Sequence, residues 1–366
     1  MPIPKPKNIL VAPLDWGAGH TTRCIPIIAH LLQLGHNPIL AGNAAQQRLV
    51  NRYFDKPINS IYLEGYNVTY SAWNRLAQAG ILSQLPRLLN SIKQENEWLQ
   101  QQAVLLQLDG IISDNRYGLH HPTIPCVIMT HQLRIMTGLG STADNFVQQL
   151  HYKYLNRFNT TWIADNAADP TLAGELAHPA QMPDNFRYIG PLSRLADIPE
   201  NTIRQQEPAI LILLSGPEPQ RTSLSRMLWE QALQMNAQIV FVEGTEGAVV
   251  PENIPPHITH YRRLDNDQLI SALQQAAMVV CRSGYSTIMD LAAINKKAIL
   301  IPTPGQTEQQ YLGKQLHKKG IFYSTRQAGF DLKKALHAAA SFPYLPSGMS
   351  GYHQHKEVIG DWLNQL

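Results

Sequence analysis

The sequence predicts an α/β protein built from two Rossmann-like βαβ domains facing a cleft. Two observations carry the prediction. Short apolar runs end abruptly in polar or glycine-containing loops and give way to segments of helical periodicity, the pattern of buried parallel strands alternating with helices. That series starts twice, at Asn8 and again at Pro208, with a polar, proline-containing stretch between the two. A chain of 366 residues is long for one core and ample for two.

In chain order, Asn8–Leu14 reads as the first strand and runs into the loop Asp15-Trp16-Gly17-Ala18-Gly19-His20-Thr21-Thr22. An amphipathic helix follows, with Cys24, Ile27, Ile28, Leu31 and Leu32 on one side, Pro26 placed near its first turn and Gly35 closing it. Pro38-Ile39-Leu40 opens the second strand. A nicotinamide dinucleotide is not expected: Thr22 stands where the third glycine of Gly-x-Gly-x-x-Gly belongs, and Asn43 where the acidic residue belongs. From Trp73 to Leu106 the pattern is helical, with Arg75, Arg87 and Lys93 among leucines, and suits either a wall helix or contact with a membrane surface. Strands at 110–113 and 125–129 end in Asp114 and in Thr130-His131-Gln132. Carboxyl ends of strands line the ligand crevice of open α/β sheets, so Asp114 and His131 are candidates, although a strand-end aspartate also caps helices. A helix over 145–158, a strand over 161–165 and the segment 188–192 complete an N-terminal domain of residues 1–195. A linker reaches Pro208.

The second series, over 205–345, restarts with Ala-Ile-Leu-Ile-Leu-Leu and the loop Ser215-Gly216, followed by Arg221. Strands at 238–242 and 258–261 and a helix over 267–276 come next. Asp265-Asn266-Asp267 stands directly before that helix and reads as a cap rather than a metal site. The most informative stretch is 278–320. Met278–Cys281 is a strand ending at Arg282-Ser283-Gly284, and Thr287-x-x-Asp290 starts a helix. Lys297–Pro302 is a strand, Thr307-Glu308-Gln309-Gln310 repeats the capping pattern, and Gly320 closes the last helix. A helix over 353–366 ends the chain; His353 and His355 lack the third ligand a metal needs.

The chemistry of 278–320 is specific. A helix N-terminus at the end of a parallel strand favours anions. Ser283-Gly284 permits close approach, and Asp290 can accept two hydrogen bonds from a vicinal diol. Gln309 and Gln310 can give and take bonds with sugar hydroxyls. Together they describe a pocket for a nucleotide diphosphate sugar.

Arg-Ser-Gly, an acidic residue six positions after the glycine, then proline and Gln309-Gln310-Tyr311 resemble the donor-binding half of family 28 glycosyltransferases. That group contains the N-acetylglucosaminyltransferase of peptidoglycan synthesis and the plant galactolipid synthases. The resemblance covers roughly 258–320 and returns at Trp16–His36; the peptidoglycan enzyme has Glu where this chain has Asp290. It implies the two-domain GT-B fold, with the terminal helix 353–366 crossing back onto the first domain. It also implies an inverting, metal-independent transfer from a UDP-sugar without a cofactor. His20 takes the catalytic-base position, with Asp114 as the second catalytic candidate and Gly17, Gly19 and His131 on the acceptor side. Donor contacts fall to Ser215, Gly216, Arg221 and Leu264 in the first half of the domain. In the second half they fall to Arg282, Ser283, Gly284, Ser286, Thr287, Asp290, Gln309 and Gln310. Two alternatives stay open: a sugar-nucleotide epimerase of the same fold, and a non-catalytic subunit that only binds a sugar nucleotide.

Composition narrows the partners. A net charge of +3, with no basic block, is too mild to imply a nucleic-acid partner, and none is expected. Cys24, Cys126 and Cys281 lie far apart in apolar runs and read as buried thiols in a reducing compartment. No apolar run approaches the ~20 residues that span a bilayer, and the start lacks a signal-peptide core. The expectation is a cytoplasmic protein, peripheral at the inner face of the membrane if 73–106 touches lipid, with a sugar, lipid or other small molecule as acceptor.

Overall fold

Four consecutive residues, Ile9 to Ala12, are fully buried and seed the first sheet. The computed structural model describes residues 5–66, 77–198 and 209–366, with backbone alone for 77–85. Residues 73–76 of the expected long helix and 199–208 of the expected linker lie outside the described residues. The chain divides into two units, Met1–Arg194 with Met349–Leu366, and Leu195–Gly348.

The first unit contains β1 (Asn8–Pro13), α1 (Ala18–Gln33), β2 (Asn37–Gly42), α2 (Ala44–Asn51), β3 (Ser60–Tyr62), α3 (Ala77–Leu105), β4 (Gly110–Asp114), β5 (Cys126–Thr130), α4 (Ser141–Leu155), β6 (Thr160–Ile163) and β7 (Phe186–Tyr188). Its described strands lie in the order β3-β2-β1-β4-β5-β6-β7, and every pairing is parallel. The order reverses between β1 and β4, which makes their carboxyl ends the topological switch point where such sheets bind ligands.

In α1 the stripe Cys24, Ile27, Ile28 and Leu31 is buried, whereas Leu32 is exposed. Gly35, at φ +80°, ends the helix. Its N–H reaches Leu32 O while that of His36 reaches Leu31 O, a Schellman closure. Pro26 differs from expectation. Because α1 begins at Ala18, the proline sits more than two turns inside. An interior proline costs on the order of 3 kcal/mol; burial of Ile25, Ile27 and Ile28, at about 1.5–3 kcal/mol each, outweighs it. The described part of α3 packs as a wall helix, burying Ile92, Leu99 and Ala103. No described helix is long and apolar enough to cross a membrane.

The second unit contains β8 (Ala209–Leu213), α5 (Gln220–Ala232), β9 (Ile239–Val242), β10 (Ile258–Tyr261), α6 (Asn266–Gln275), β11 (Ala276–Cys281), α7 (Tyr285–Ala293), β12 (Ala298–Leu300), α8 (Thr307–Lys318), β13 (Tyr323–Ser324) and α9 (Leu332–Ala340). Its sheet order, β10-β9-β8-β11-β12-β13, repeats the plan of the first unit and puts a switch point between β8 and β11. Ile212, Phe241, Val280 and Ile299 pack against Leu224 and Leu228 of α5 and Leu332 and Ala335 of α9. Both expected capping patterns are corrected. Gly284 is the N-cap of α7 and Gln306 that of α8, each without a side-chain cap, so Thr287 and Thr307 lie inside their helices. Strand β11 ends at Cys281 and α7 starts at Tyr285, so Thr287 is the third residue of α7, and Thr307 is the first of α8.

Helix α10 (Gln354–Leu363) belongs to the first unit. Its His355 is 3% exposed and meets the His30 ring of α1 edge-on at 6.2 Å. Burial pushes His355, and likewise His151 of α4, down to about 4. Both folded values lie below the unfolded ~6.5, so between pH 6.5 and 4 the unfolded chain binds more protons and stability falls as pH falls. At about 1.4 kcal/mol per pH unit each site is worth ~3 kcal/mol at most. The urea midpoint of the first unit is therefore expected to drop between pH 6.5 and 4.5, and His355→Gln to flatten that drop. A midpoint with the same slope in His355→Gln would contradict the assignment.

Candidate active site

In the first unit β1 ends at Pro13, paired with Asp114 at the end of β4. The chain turns through Gly17, at φ +87°, into α1. His20 is the third residue of that helix. Asp114 is 94 positions away, yet its Oδ2 lies 3.1 Å from His20 Nδ1 because β1 and β4 are neighbours. One turn beyond His20, Arg23 faces the same way. It grips Asp114 through Nε, 2.7 Å from Oδ2, and through Nη2 on Oδ1. Arg23 Nη2 also lies 2.8 Å from His20 Nδ1, and Arg23 Nη1 2.8 Å from His131 Nδ1. His131 stands just past β5, the strand beside β4.

The cluster is dry. Asp114 is fully buried, Arg23 is 2% exposed, and the His20 side chain is 16% exposed. Burial lowers the His20 pKa first and the Arg23 charge lowers it further; Asp114 pulls it back only in part. Burial alone would raise the Asp114 carboxyl, but Arg23 and His20 outweigh it and hold it below the usual range. His20, Asp114 and His131 are thus brought together. Asp15, the other carboxylate of the loop, instead accepts the N–H of Tyr66 at 3.3 Å. Gly17 and Gly19 flank the turn into α1, Gly17 as its N-cap.

Behind Asp114, a buried network fixes the following loop. Arg116 donates to Glu95 Oε1 and, through Nη2, to Glu64 O. Glu95 Oε2 accepts from Tyr66 Oη at 2.6 Å and from Gly118 N at 2.8 Å.

In the second unit, Ser215 and Gly216 are exposed after β8, and Gly216 takes φ +106°. Arg221 is corrected as a free anion-binding arm. Nε donates to Glu218 at 2.7 Å and Nη1 to Glu243 at 3.0 Å, so its charge is already matched by two carboxylates. Arg282 is corrected too. It is 1% exposed, with Nη1 donating to Ile301 O, Pro302 O and Gln327 Oε1 and Nη2 to Gln220 O. These acceptors are neutral, and burial lowers its pKa to about 10. It contributes a positive field rather than an outstretched contact.

Ser283 is buried and donates to Gln309 O at 2.9 Å, latching the start of α7 to that of α8. Gln309 Oε1 accepts from Thr303 N at 2.9 Å, and its Nε2 is 4.0 Å from the position a Cβ on Gly284 would take. The two amides therefore differ: Gln309 is built into the wall and Gln310 is exposed. Ser286, Thr287 and Asp290 are half-buried along α7, and Leu264 is buried just before α6. Asp265 caps α6 through a reciprocal bond with Gln268. Sequence reasoning passed over Arg23, Glu95 and Glu243. Only Arg23 left a signal, as a charge on the buried stripe of an amphipathic helix.

Residues 252–349 match the glycosyltransferase family 28 C-terminal domain. A UDP-N-acetylglucosamine--N-acetylmuramyl-(pentapeptide) pyrophosphoryl-undecaprenol N-acetylglucosamine transferase of Hydrogenovibrio crunogenus (strain DSM 25203 / XCL-2) is 34% identical over 102 residues, covering 28% of this chain and 24% of that protein. The enzyme of the same name from Pasteurella multocida (strain Pm70) is 28% identical over 152 residues, 39% of this chain and 42% of its own. The alignment with the first of these thus spans about a quarter of that relative's length. Among solved structures, the glycotransferase of kitacinnamycin superposes over 99% of both chains with a TM-score of 0.65 at 15% identity. MurG of Acinetobacter baumannii does so over 99% of this chain and all of its own, with a TM-score of 0.54 at 15% identity. The doubly wound sheet of each unit and the likeness to these structures show the GT-B fold, and residues 252–349 carry the match to the glycosyltransferase family 28 C-terminal domain.

Proposed function

We propose that this chain is an inverting, metal-independent glycosyltransferase that moves a sugar from a UDP-sugar to an acceptor hydroxyl. The observation that carries the reading is the His20–Asp114 pair at the switch point of the first unit, with Nδ1 turned to the carboxylate. In the tautomer with the proton on Nδ1, Nε2 keeps a lone pair for an incoming hydroxyl. The acceptor oxygen attacks the anomeric carbon as His20 Nε2 takes its proton. The bond from that carbon to the diphosphate breaks, its electron pair leaves with UDP, and the anomeric configuration inverts. In the second unit, the buried Arg282 charge and the uncapped start of α7 favour the departing diphosphate without a metal. Asp290 accepts the ribose diol, and Gln309 and Gln310 read the sugar. The named relatives transfer N-acetylglucosamine onto a lipid-linked sugar, which makes UDP-N-acetylglucosamine the first donor to try and a lipid-linked sugar the first acceptor. Contact of the 73–106 stretch with the membrane surface belongs to the same proposal. An epimerase would need a carboxylate open to the sugar. Asp114 is buried against Arg23, and Asp15 is engaged by Tyr66.

The donor half is tested by titrating UDP into the chain with a chelator present. Asp290→Ala is expected to weaken binding by about 1.5–3 kcal/mol, the value of hydrogen bonds to a charged group. The parent chain is expected to bind equally well with and without chelator. Unchanged affinity in a folded Asp290→Ala, or a parent that binds only with added magnesium or manganese, would overturn this half of the reading.

A further inference from the structure

Arg23 is an unusual companion for a catalytic histidine, and its contacts suggest what it does. The inference rests on the proposed role of His20 as base. Two groups crowd its Nδ1: Asp114 Oδ2 at 3.1 Å, an acceptor, and Arg23 Nη2 at 2.8 Å, a donor, while His131 is held on the other arm of the same guanidinium. A single nitrogen cannot satisfy both neighbours in one protonation state. If Nδ1 accepts from Arg23, the ring proton sits on Nε2 and the base is blocked. If Nδ1 donates to Asp114, Nε2 is open.

We propose that Arg23 is a positioning residue that neutralises Asp114 and competes with it for His20 Nδ1, keeping His20 uncharged and setting the lower pH limit of the base. A histidine beside an unpaired aspartate gains a proton readily, because the imidazolium–carboxylate pair is neutral overall. Here Arg23 and Asp114, both buried, already form that neutral pair behind the His20 ring. A proton on His20 would therefore give the cluster a net positive charge away from water, which is costly. The consequence is a base that stays neutral well into acid and discharges its proton promptly after turnover. The groups bearing on the ring are Arg23 from its own helix, Asp114 from β4 and His131 from beyond β5. Cys24 and Tyr117 also lie near Asp114, but burial raises both pKa values and they stay neutral over the range that matters.

The test reads His20 directly. In the full chain with labelled histidines, the His20 imidazole signals are identified by their loss in His20→Ala and followed against pH. In the parent, His20 is expected to titrate below ~6.5. In Arg23→Gln its midpoint is expected to rise by at least about one pH unit, a tenfold change in proton affinity, with the ring nitrogens shifting toward the Nδ1–H tautomer. Arg23→Lys, which keeps the charge, is expected to titrate like the parent. The double variant Arg23→Gln/Asp114→Asn, which removes both charges, is expected to fall back below Arg23→Gln. A folded Arg23→Gln that titrates like the parent overturns the proposal, as does Arg23→Lys shifted as far as Arg23→Gln. If Arg23→Gln does not fold, a parent-like midpoint in Arg23→Lys together with an ordinary one in the double variant supports the proposal, and an upward shift in Arg23→Lys overturns it. None of these titrations needs turnover. Loss of the base reading itself would appear separately, as normal turnover in His20→Ala.

Discussion

His20→Ala is expected to bind UDP as the parent chain does and to turn over ~10²–10⁴-fold more slowly, the contribution of one positioned general base. The two halves of that expectation have separate causes. His20 lies on the first unit, between Asp114 and Arg23, whereas the residues proposed to hold UDP lie on α7 and α8 of the second. Loss of the imidazole removes a proton acceptor without touching a nucleotide contact. Because burial and Arg23 lower the His20 pKa, the rate of the parent is expected to fall on the acid side with a midpoint below that of a free histidine. Steady-state kinetics of UDP release from UDP-N-acetylglucosamine, paired with UDP titration, checks both parts. Near-normal turnover in a folded His20→Ala would remove the histidine from the mechanism. Asp114 is then a poor substitute, since it is fully buried and held ionised by Arg23.

The second large effect concerns stability. Glu95→Ala is expected to cost the first unit about 3–5 kcal/mol, because it breaks a buried ion pair and strands its partner. Arg116 is fully buried and Glu95 is 4% exposed. Without the carboxylate, Arg116 keeps a bond to Glu64 O but no opposing charge from Glu95, and Tyr66 Oη and Gly118 N lose their acceptor together. Glu95→Ala/Arg116→Met is expected to recover much of the loss, since two apolar side chains leave no orphan charge. Denaturant unfolding of both variants checks this. A change of under ~1 kcal/mol for Glu95→Ala would mean that the pair carries little of the fold.

The fold was legible because both sheets are buried on two faces, so their strands stand out as apolar runs such as Ile9–Ala12 and Val279–Cys281. His20, Asp114 and His131 were legible as polar residues where such runs stop. Their mutual contact was not, since it follows from the neighbourhood of β1, β4 and β5, which no local pattern encodes. Arg23 escaped notice because an arginine on an apolar stripe reads as a long side chain reaching for solvent; its carboxylate comes from a strand 91 positions away. Arg221 and Arg282 misled in the opposite sense. A charge in a loop suggests an anionic ligand, but Glu243 and the carbonyls beyond β12 reach these guanidinium groups from within the fold. The threonines at 287 and 307 misplaced helix starts for a simpler reason: Thr-x-x-Asp and Thr-x-x-Gln spacing occurs equally well where the threonine is already the third or first helical residue.

The central claim, sugar transfer with inversion, is most directly tested by proton NMR of the chain incubated with UDP-N-acetylglucosamine, whose anomeric linkage is α, and a lipid-linked sugar acceptor. The account predicts release of UDP in step with a new glycoside whose anomeric coupling is that of the β linkage. A product with retained α linkage would contradict inversion. A donor that is epimerised, or that is bound and returned unchanged with every acceptor, would contradict transfer itself.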